Sequence, residues 1–277
     1  MTAFVAAGAV AHAQAPTPMT RATFANGQGS REFVVFAPSS LPTERAMVVM
    51  LHGCGQTADD MARGTRMNAA AERERFVVLY PEQPASANPQ KCWNWFVPDN
   101  QTRDKGETAL LAGLIDSVAR AFNVRRVSLV GMSAGAAMAA NLAVAYPERY
   151  SALALHSGIP ALAAKDVMGA IAAMQKGAAD GAALGATALA AMGSRARAIP
   201  VIALHGADDK IVSLANLDAT VRQWTIVSGG AASVEKVVLD GVGHAWSGGS
   251  SDGTFTAPAG PDATGMIVAF LRRVKAI

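Results

Sequence analysis

Val127-Ser-Leu-Val130-Gly-Met-Ser-Ala-Gly135 decides the fold. A short apolar, β-branched run of the kind found in buried strands leads into a G-x-S-x-G turn, and an Ala-rich stretch of helical composition follows to about residue 145. Small residues on either side of Ser133 let the chain turn sharply between strand and helix, so the serine side chain stands above the end of a sheet. Ser133 is therefore a candidate nucleophile, and Met132 beside it reads as a packing residue.

Working outward, Glu32–Phe36, Ala46–Leu51 and Phe76–Tyr80 read as strands toward the N-terminus, and Ala152–Leu155, Val201–Leu204 and Val234–Leu239 as strands toward the C-terminus. Between the second and third lies a crossover helix beginning near Asp59, with Met61, Met67 and Ala70 or Ala71 at near-helical spacing. Further helices are expected over 106–121, 214–227 and 261–273. This alternation predicts an open, mostly parallel sheet with helices on both faces, and ligands in such folds bind beyond the carboxyl ends of the strands. Residues 159–199, rich in Ala, Gly and Met and without aromatics, break the rhythm. They read as a helical insertion, either a cap over the site or an excursion packed on one side.

The 277 residues fit one domain, and 51% hydrophobic residues with 26 Gly and 13 Pro exclude a disordered chain and a coiled coil. A net charge of +3, with Lys and Arg scattered singly or in pairs such as Arg125–Arg126, argues against a nucleic-acid surface. The sequence contains no apolar run of the roughly 18 to 20 residues that a membrane-spanning helix needs, so no membrane partner is expected. Residues 1–15 end in Ala13-Gln14-Ala15 ahead of Pro16 and read as the apolar core and cleavage site of a secretory signal peptide whose charged start is missing. The alternative is a frayed Ala-rich terminus. Export would make the protein secreted or periplasmic, with residues 16–277 as the functional domain. Cys54 and Cys92 suit an oxidising compartment, where they could pair; two buried free thiols are the other reading.

A serine hydroxyl needs a base to take its proton and a buried acid to orient that base, and in this fold class both follow it in sequence. His205-Gly-Ala-Asp208-Asp209 starts at the end of a strand and offers two carboxylates, of which Asp209 is favoured; Asp208 is the turn-capping alternative. His52, His156 and His205 sit at strand ends, where an imidazole can bond loop backbone. His244, on the Gly-flanked loop after the acid, is the candidate base. An oxyanion needs two backbone N–H donors. Ala134, after the nucleophile, supplies one, and the Gly-rich turn Leu51-His-Gly-Cys-Gly-Gln56 supplies the other from Cys54, with Gly55 as the alternative. Trp93, Trp95 and Trp246 lie beside these loops in sequence and could line an acyl or aryl pocket or simply pack the core. His, Cys and Asp show no metal-ligand spacing, so neither metal nor cofactor is expected.

Five ordered blocks carry a resemblance: Leu51–Gln56, Cys92-Trp-Asn-Trp-Phe96, Gly131–Gly135, His205-Gly-x-x-Asp209-x-x-Val212 and Gly243-His-Ala-Trp246. Together they resemble the polyhydroxybutyrate depolymerase family of α/β-hydrolase esterases, whose relatives include feruloyl and acetylxylan esterases. The resemblance implies an α/β-hydrolase fold, a mostly parallel central sheet with helices on both faces and a helical insertion after the sixth strand. It implies cofactor-free hydrolysis of ester bonds through an acyl-serine, with Asp209 as acid and His244 as base. The expected partner is an ester substrate of the hydroxyalkanoate type, monomeric or oligomeric. Plant polysaccharide esters are the alternative, and a non-catalytic binding homologue is a more distant one. The sequence departs from the larger extracellular polymer depolymerases in showing no linker and polymer-binding segment after the catalytic one, so attack on crystalline polymer is not expected.

Overall fold

The computed structural model describes residues 19–277, so the leader expected over 1–15 lies outside the described residues. Eight strands make the main sheet: β1 (Thr20–Asn26), β2 (Gly29–Phe36), β3 (Arg45–Leu51), β4 (Val77–Pro81), β5 (Val124–Met132), β6 (Ala152–His156), β7 (Val201–Gly206) and β8 (Val234–Leu239). Their spatial order is β1-β2-β4-β3-β5-β6-β7-β8, with β1 and β2 antiparallel and every pairing from β4 onward parallel. β5, which carries Ser133 at its end, thus sits in the interior of the sheet between β3 and β6.

Both faces of the sheet are covered, so the central strands are apolar throughout rather than alternating. Along β3, Met47, Val49 and Leu51 point into one core, while Ala46, Val48 and Met50 point into the other. The first core is closed by α3 (Gly106–Ala121), α4 (Ala134–Ala145), α6 (Gly181–Met192) and α7 (Ala215–Ser228). α1 (Ala58–Thr65), α2 (Met67–Glu74) and α8 (Ala263–Arg273) close the second. α4 is buried along its whole length, and its Ala-rich composition lets it lie close to the sheet.

The helix expected near Asp59 is two helices, α1 and α2, because Arg66 between them adopts a left-handed conformation at φ 55°. Methionine spacing could not reveal this break, since an arginine carries no turn signature. β1 also escaped the sequence reading: nearly all of its residues are solvent-exposed, so it has no hydrophobic pattern to detect. The 159–199 segment contains α5 (Val167–Lys176) and α6. α6 is packed tightly: a β-carbon on Gly181 would lie 2.4 Å from the carbonyl oxygen of Ala219, and one on Gly185 would lie 2.7 Å from Cβ of Ile226, both on α7. α5 is tied on more loosely, by the Ser213 N–H donating to Met174 O and Asn216 Nδ2 donating to Ala173 O, and it leaves Val167, Met168 and Ile171 exposed.

Candidate active site

Ser133 occupies the one-residue gap between β5 and α4 at φ 55° and ψ −123°, a region that a serine enters only under constraint. Two glycines make the turn possible. A β-carbon on Gly131 would meet the carbonyl oxygen of Gly135 at 2.4 Å, and one on Gly135 would meet that of Leu51 at 2.1 Å. The Ser133 N–H donates to His156 O at 2.9 Å, which fastens the turn to β6.

Around this serine the structure brings together the residues expected to act with it. His244 Nε2 lies 2.9 Å from Ser133 Oγ, and His244 Nδ1 lies 2.7 Å from Asp209 Oδ2. An Nδ1–H donated to the carboxylate leaves the Nε2 lone pair facing the hydroxyl. Asp209 is buried, and its Oδ1 accepts the N–H groups of Ile211 and Val212 at 2.9 and 2.8 Å. Burial alone would raise its pKa, but hydrogen bonds from His205 and His244, together with the Val212 N–H, outweigh that and hold the carboxyl well below the usual carboxylate range. Asp208 is exposed and uses only its backbone N–H, donated to Val242 O, to fix the loop.

Of the other histidines, His52 and His205 bond loop backbone, and His205 does more, while His156 Nδ1 lies 3.1 Å from Ser157 Oγ. His52 Nδ1 lies 2.7 Å from Gly53 O while its Nε2 accepts the Gln83 N–H at 3.0 Å, so the ring is neutral, and burial lowers its pKa further. His205 Nε2 lies 3.0 Å from Val212 O and also 3.3 Å from Asp209 Oδ2, a second imidazole on the same carboxylate. The sequence reading missed this contact, although the i,i+4 separation from Asp209 was its available signal.

The turn after β3 settles which of its N–H groups is available. Gly53 donates to Gln56 Oε1 at 2.9 Å and Gly55 to Gln90 O at 2.8 Å, whereas the N–H groups of Cys54 and Ala134 meet no acceptor among the described residues. The carbonyl of Gly53 accepts from His52 Nδ1 and from the Gln56 N–H. In a trans peptide the N–H points opposite to the carbonyl, so these bonds turn the Cys54 N–H to the other side. Gly53 itself is close to the serine: a β-carbon there would lie 3.5 Å from Cβ of Ser133.

Cys54 and Cys92 form a disulfide, joining this turn to the loop after β4. That loop is anchored in turn by Trp93 Nε1, which donates to His52 O at 3.1 Å, and by buried Glu107, which accepts the Asn94 N–H at 2.8 Å and pairs with Arg31. The expectation that tryptophans line a pocket is corrected here. Trp93, Trp95 and Trp246 are 0, 3 and 1% exposed and belong to the two cores. Trp246 donates its Nε1–H to Thr264 Oγ1 and stacks on His156, so its polar and apolar surfaces are both already occupied. The large aromatic that is exposed beside the site is Phe255, which the sequence reading missed; a lone aromatic within the turn-rich Ser250-Ser-Asp-Gly-Thr-Phe255 was its only signal.

A family model described as esterase PHB depolymerase matches residues 32–236. The chain belongs to that family. Proteins similar to it include poly(3-hydroxyalkanoate) depolymerase C of Paucimonas lemoignei, 32% identical over 206 residues, 73% of this chain and 50% of that protein. Acetylxylan esterase A of Emericella nidulans is 30% identical over 53% of this chain and 49% of its own length. The chain thus spans about half the length of the curated relatives it matches. Among solved structures, an acetyl xylan esterase from Aspergillus awamori superposes with a TM-score of 0.71 at 20% identity, over 82% of this chain and 94% of that one, which establishes the α/β-hydrolase fold. The family match ends before His244, so that residue is tied to the site by its two hydrogen bonds alone.

Proposed function

We propose that this chain is a serine carboxylic ester hydrolase, with Ser133 as nucleophile, His244 as general base and acid, and Asp209 as the orienting acid. The observation that carries the reading is the unbroken chain from Ser133 Oγ to His244 Nε2 and from His244 Nδ1 to Asp209 Oδ2, at 2.9 and 2.7 Å. Ser133 Oγ attacks the ester carbonyl as its proton passes to His244 Nε2. The carbonyl oxygen gains negative charge and rests on the N–H groups of Cys54 and Ala134, while the ionised Asp209 stabilises the imidazolium. Collapse of the tetrahedral adduct breaks the bond to the alcohol, which leaves with the proton from His244. Water then attacks the acyl-serine, gives its proton to the same nitrogen, and the acid departs as Ser133 recovers its hydrogen.

For substrate, hydroxyalkanoate esters or oligomers are the first choice, supported by the family match and by the named activity of the Paucimonas relative. Feruloyl and acetyl esters of plant polysaccharides are the second, supported by relatives named for those activities. The disulfide supports an oxidising compartment, secreted or periplasmic. The test is turnover of p-nitrophenyl butyrate together with mass mapping after a serine-directed organophosphonate. A single adduct on the peptide carrying Ser133, with loss of turnover in proportion, is the expected result. Absence of both turnover and adduct would overturn the proposal. Rates on hydroxybutyrate trimer, methyl ferulate and acetylated xylan, measured side by side, decide the substrate class.

A further inference from the structure

Phe255 stands in a conformation and an environment that neither folding nor packing explains. Its backbone has φ 51°, the left-handed region where glycine or asparagine is at home and a bulky side chain is not. The residue is 50% exposed, so burial does not offset that strain. The surrounding loop nevertheless holds it there firmly. Phe255 O accepts the Trp246 N–H at 2.7 Å, the Thr254 N–H donates to Asp60 Oδ1 at 3.0 Å, and Thr256 Oγ1 donates to Ser250 O at 2.8 Å. Strain retained at an exposed position by an over-determined loop beside the site motivates a functional reading of the residue.

The loop places this ring at the site. Trp246, bonded to Phe255, is two residues beyond His244. On the other side, one amide joins the loop to the oxyanion turn: Gln56 donates through Nε2 to Thr254 O at 3.0 Å and accepts the Gly53 N–H at Oε1. Gly55, the neighbour of Cys54, faces the ring, and a β-carbon there would lie 3.9 Å from Phe255 Cε2. Because Gly55 is a glycine at φ 77°, no side chain stands between the ring and the turn.

We propose that Phe255 is a specificity-determining residue whose ring forms an apolar wall beside the Cys54 N–H and packs on the apolar part of the ester held there. The inference rests on the esterase reading and narrows it: the wall favours esters with an aliphatic branch or an aryl ring next to the reacting group, and adds little for a compact acetyl group.

The test compares wild type with Phe255→Leu, Phe255→Ala and Phe255→Gly on p-nitrophenyl acetate and p-nitrophenyl butyrate, and on ethyl butyrate against p-nitrophenyl butyrate. Melting temperatures are measured in parallel. In the alanine and glycine variants, the preference for the larger substrate in at least one pair falls by about tenfold or more, chiefly through KM, and leucine retains part of it. The glycine variant melts no lower than the alanine variant, because glycine relieves the positive φ. Equal loss on every substrate would mean a purely structural role and overturns the proposal, as do unchanged ratios in both pairs. Wild-type protein without activity on any of these esters, and no faster than Ser133→Ala, would instead overturn the esterase reading, and this inference with it.

Discussion

The carboxylate of Asp209 is held by more donors than an orienting role alone requires. Two backbone N–H groups fix one oxygen and two imidazoles share the other, so His244 is offered an acceptor that can neither rotate away nor take up a proton at ordinary pH. Its sign in folding follows from linkage. A carboxyl held lower in the folded chain than its ordinary 3.8 contributes stability that is fully present above that value and is lost as pH falls through the lower folded value. Asp209→Asn removes the charge opposite the imidazolium and alters the tautomer, so turnover of p-nitrophenyl butyrate is expected to fall by roughly 10³- to 10⁴-fold. Asp208→Asn, on an exposed side chain, is expected to stay within about twofold; a comparable loss in both variants would mean that the wrong carboxylate has been assigned. Ser133→Ala and His244→Ala should each lower kcat by several orders of magnitude, and the double variant by scarcely more, since each removes the same proton transfer. Additive losses in that cycle would argue against a single proton-transfer chain.

At the scale of elements, the site depends on two turns whose shapes are enforced from below. The elbow between β5 and α4 needs Gly135, because a β-carbon there would lie 2.1 Å from the Leu51 carbonyl oxygen on β3, a clash that backbone cannot relieve without moving. Gly135→Ala is therefore expected to destabilise the protein by several kcal/mol or prevent folding, whereas Gly27→Ala, with nothing within 4 Å and no positive φ, stays within about 0.5 kcal/mol in urea titrations. The turn after β3 is tied to the loop after β4 by the disulfide. Its 38-residue separation corresponds to about 4 kcal/mol of chain-entropy stabilisation, so reduction should lower the melting temperature and activity together; full activity after verified reduction would show that the His52 and Gln56 bonds suffice to aim the Cys54 N–H. These elements were also the most legible in sequence. Buried strands and the G-x-S-x-G turn declare themselves through apolar runs and small residues, and the Ser133, Asp209 and His244 positions followed from their order along the chain. Which of the two readings holds for the tryptophans, and the exposure of Phe255, were not legible, because whether an aromatic faces the core or the solvent depends on loop paths that no local spacing encodes.

Taken as a whole, the molecule is a sheet between two cores, and His156 links them at the site. Its backbone carbonyl accepts the Ser133 N–H, its ring stacks on Trp246 in the second core, and Asp209, His205 and His244 are the titratable groups around it. Burial, reinforced by the neighbouring histidines, lowers its pKa from 6.5 to about 3, so the folded protein keeps it neutral while the unfolded chain protonates it. Unfolding between those limits takes up a proton, and stability falls with decreasing pH by about 1.4 kcal/mol per pH unit for each such group. His52, also buried with a lowered pKa, adds to the same slope. Acid sensitivity should therefore begin near pH 6.5, well before carboxylates such as Asp209 are protonated. Urea denaturation at several pH values from 7 down to 4 checks this: wild type should lose stability steadily, and His156→Gln, whatever its stability at pH 7, should lose it with a slope shallower by about one proton. Equal slopes in the two proteins would mean that His156 is already protonated in the folded state or not buried there, and the acid sensitivity would then rest on His52 and the carboxylates.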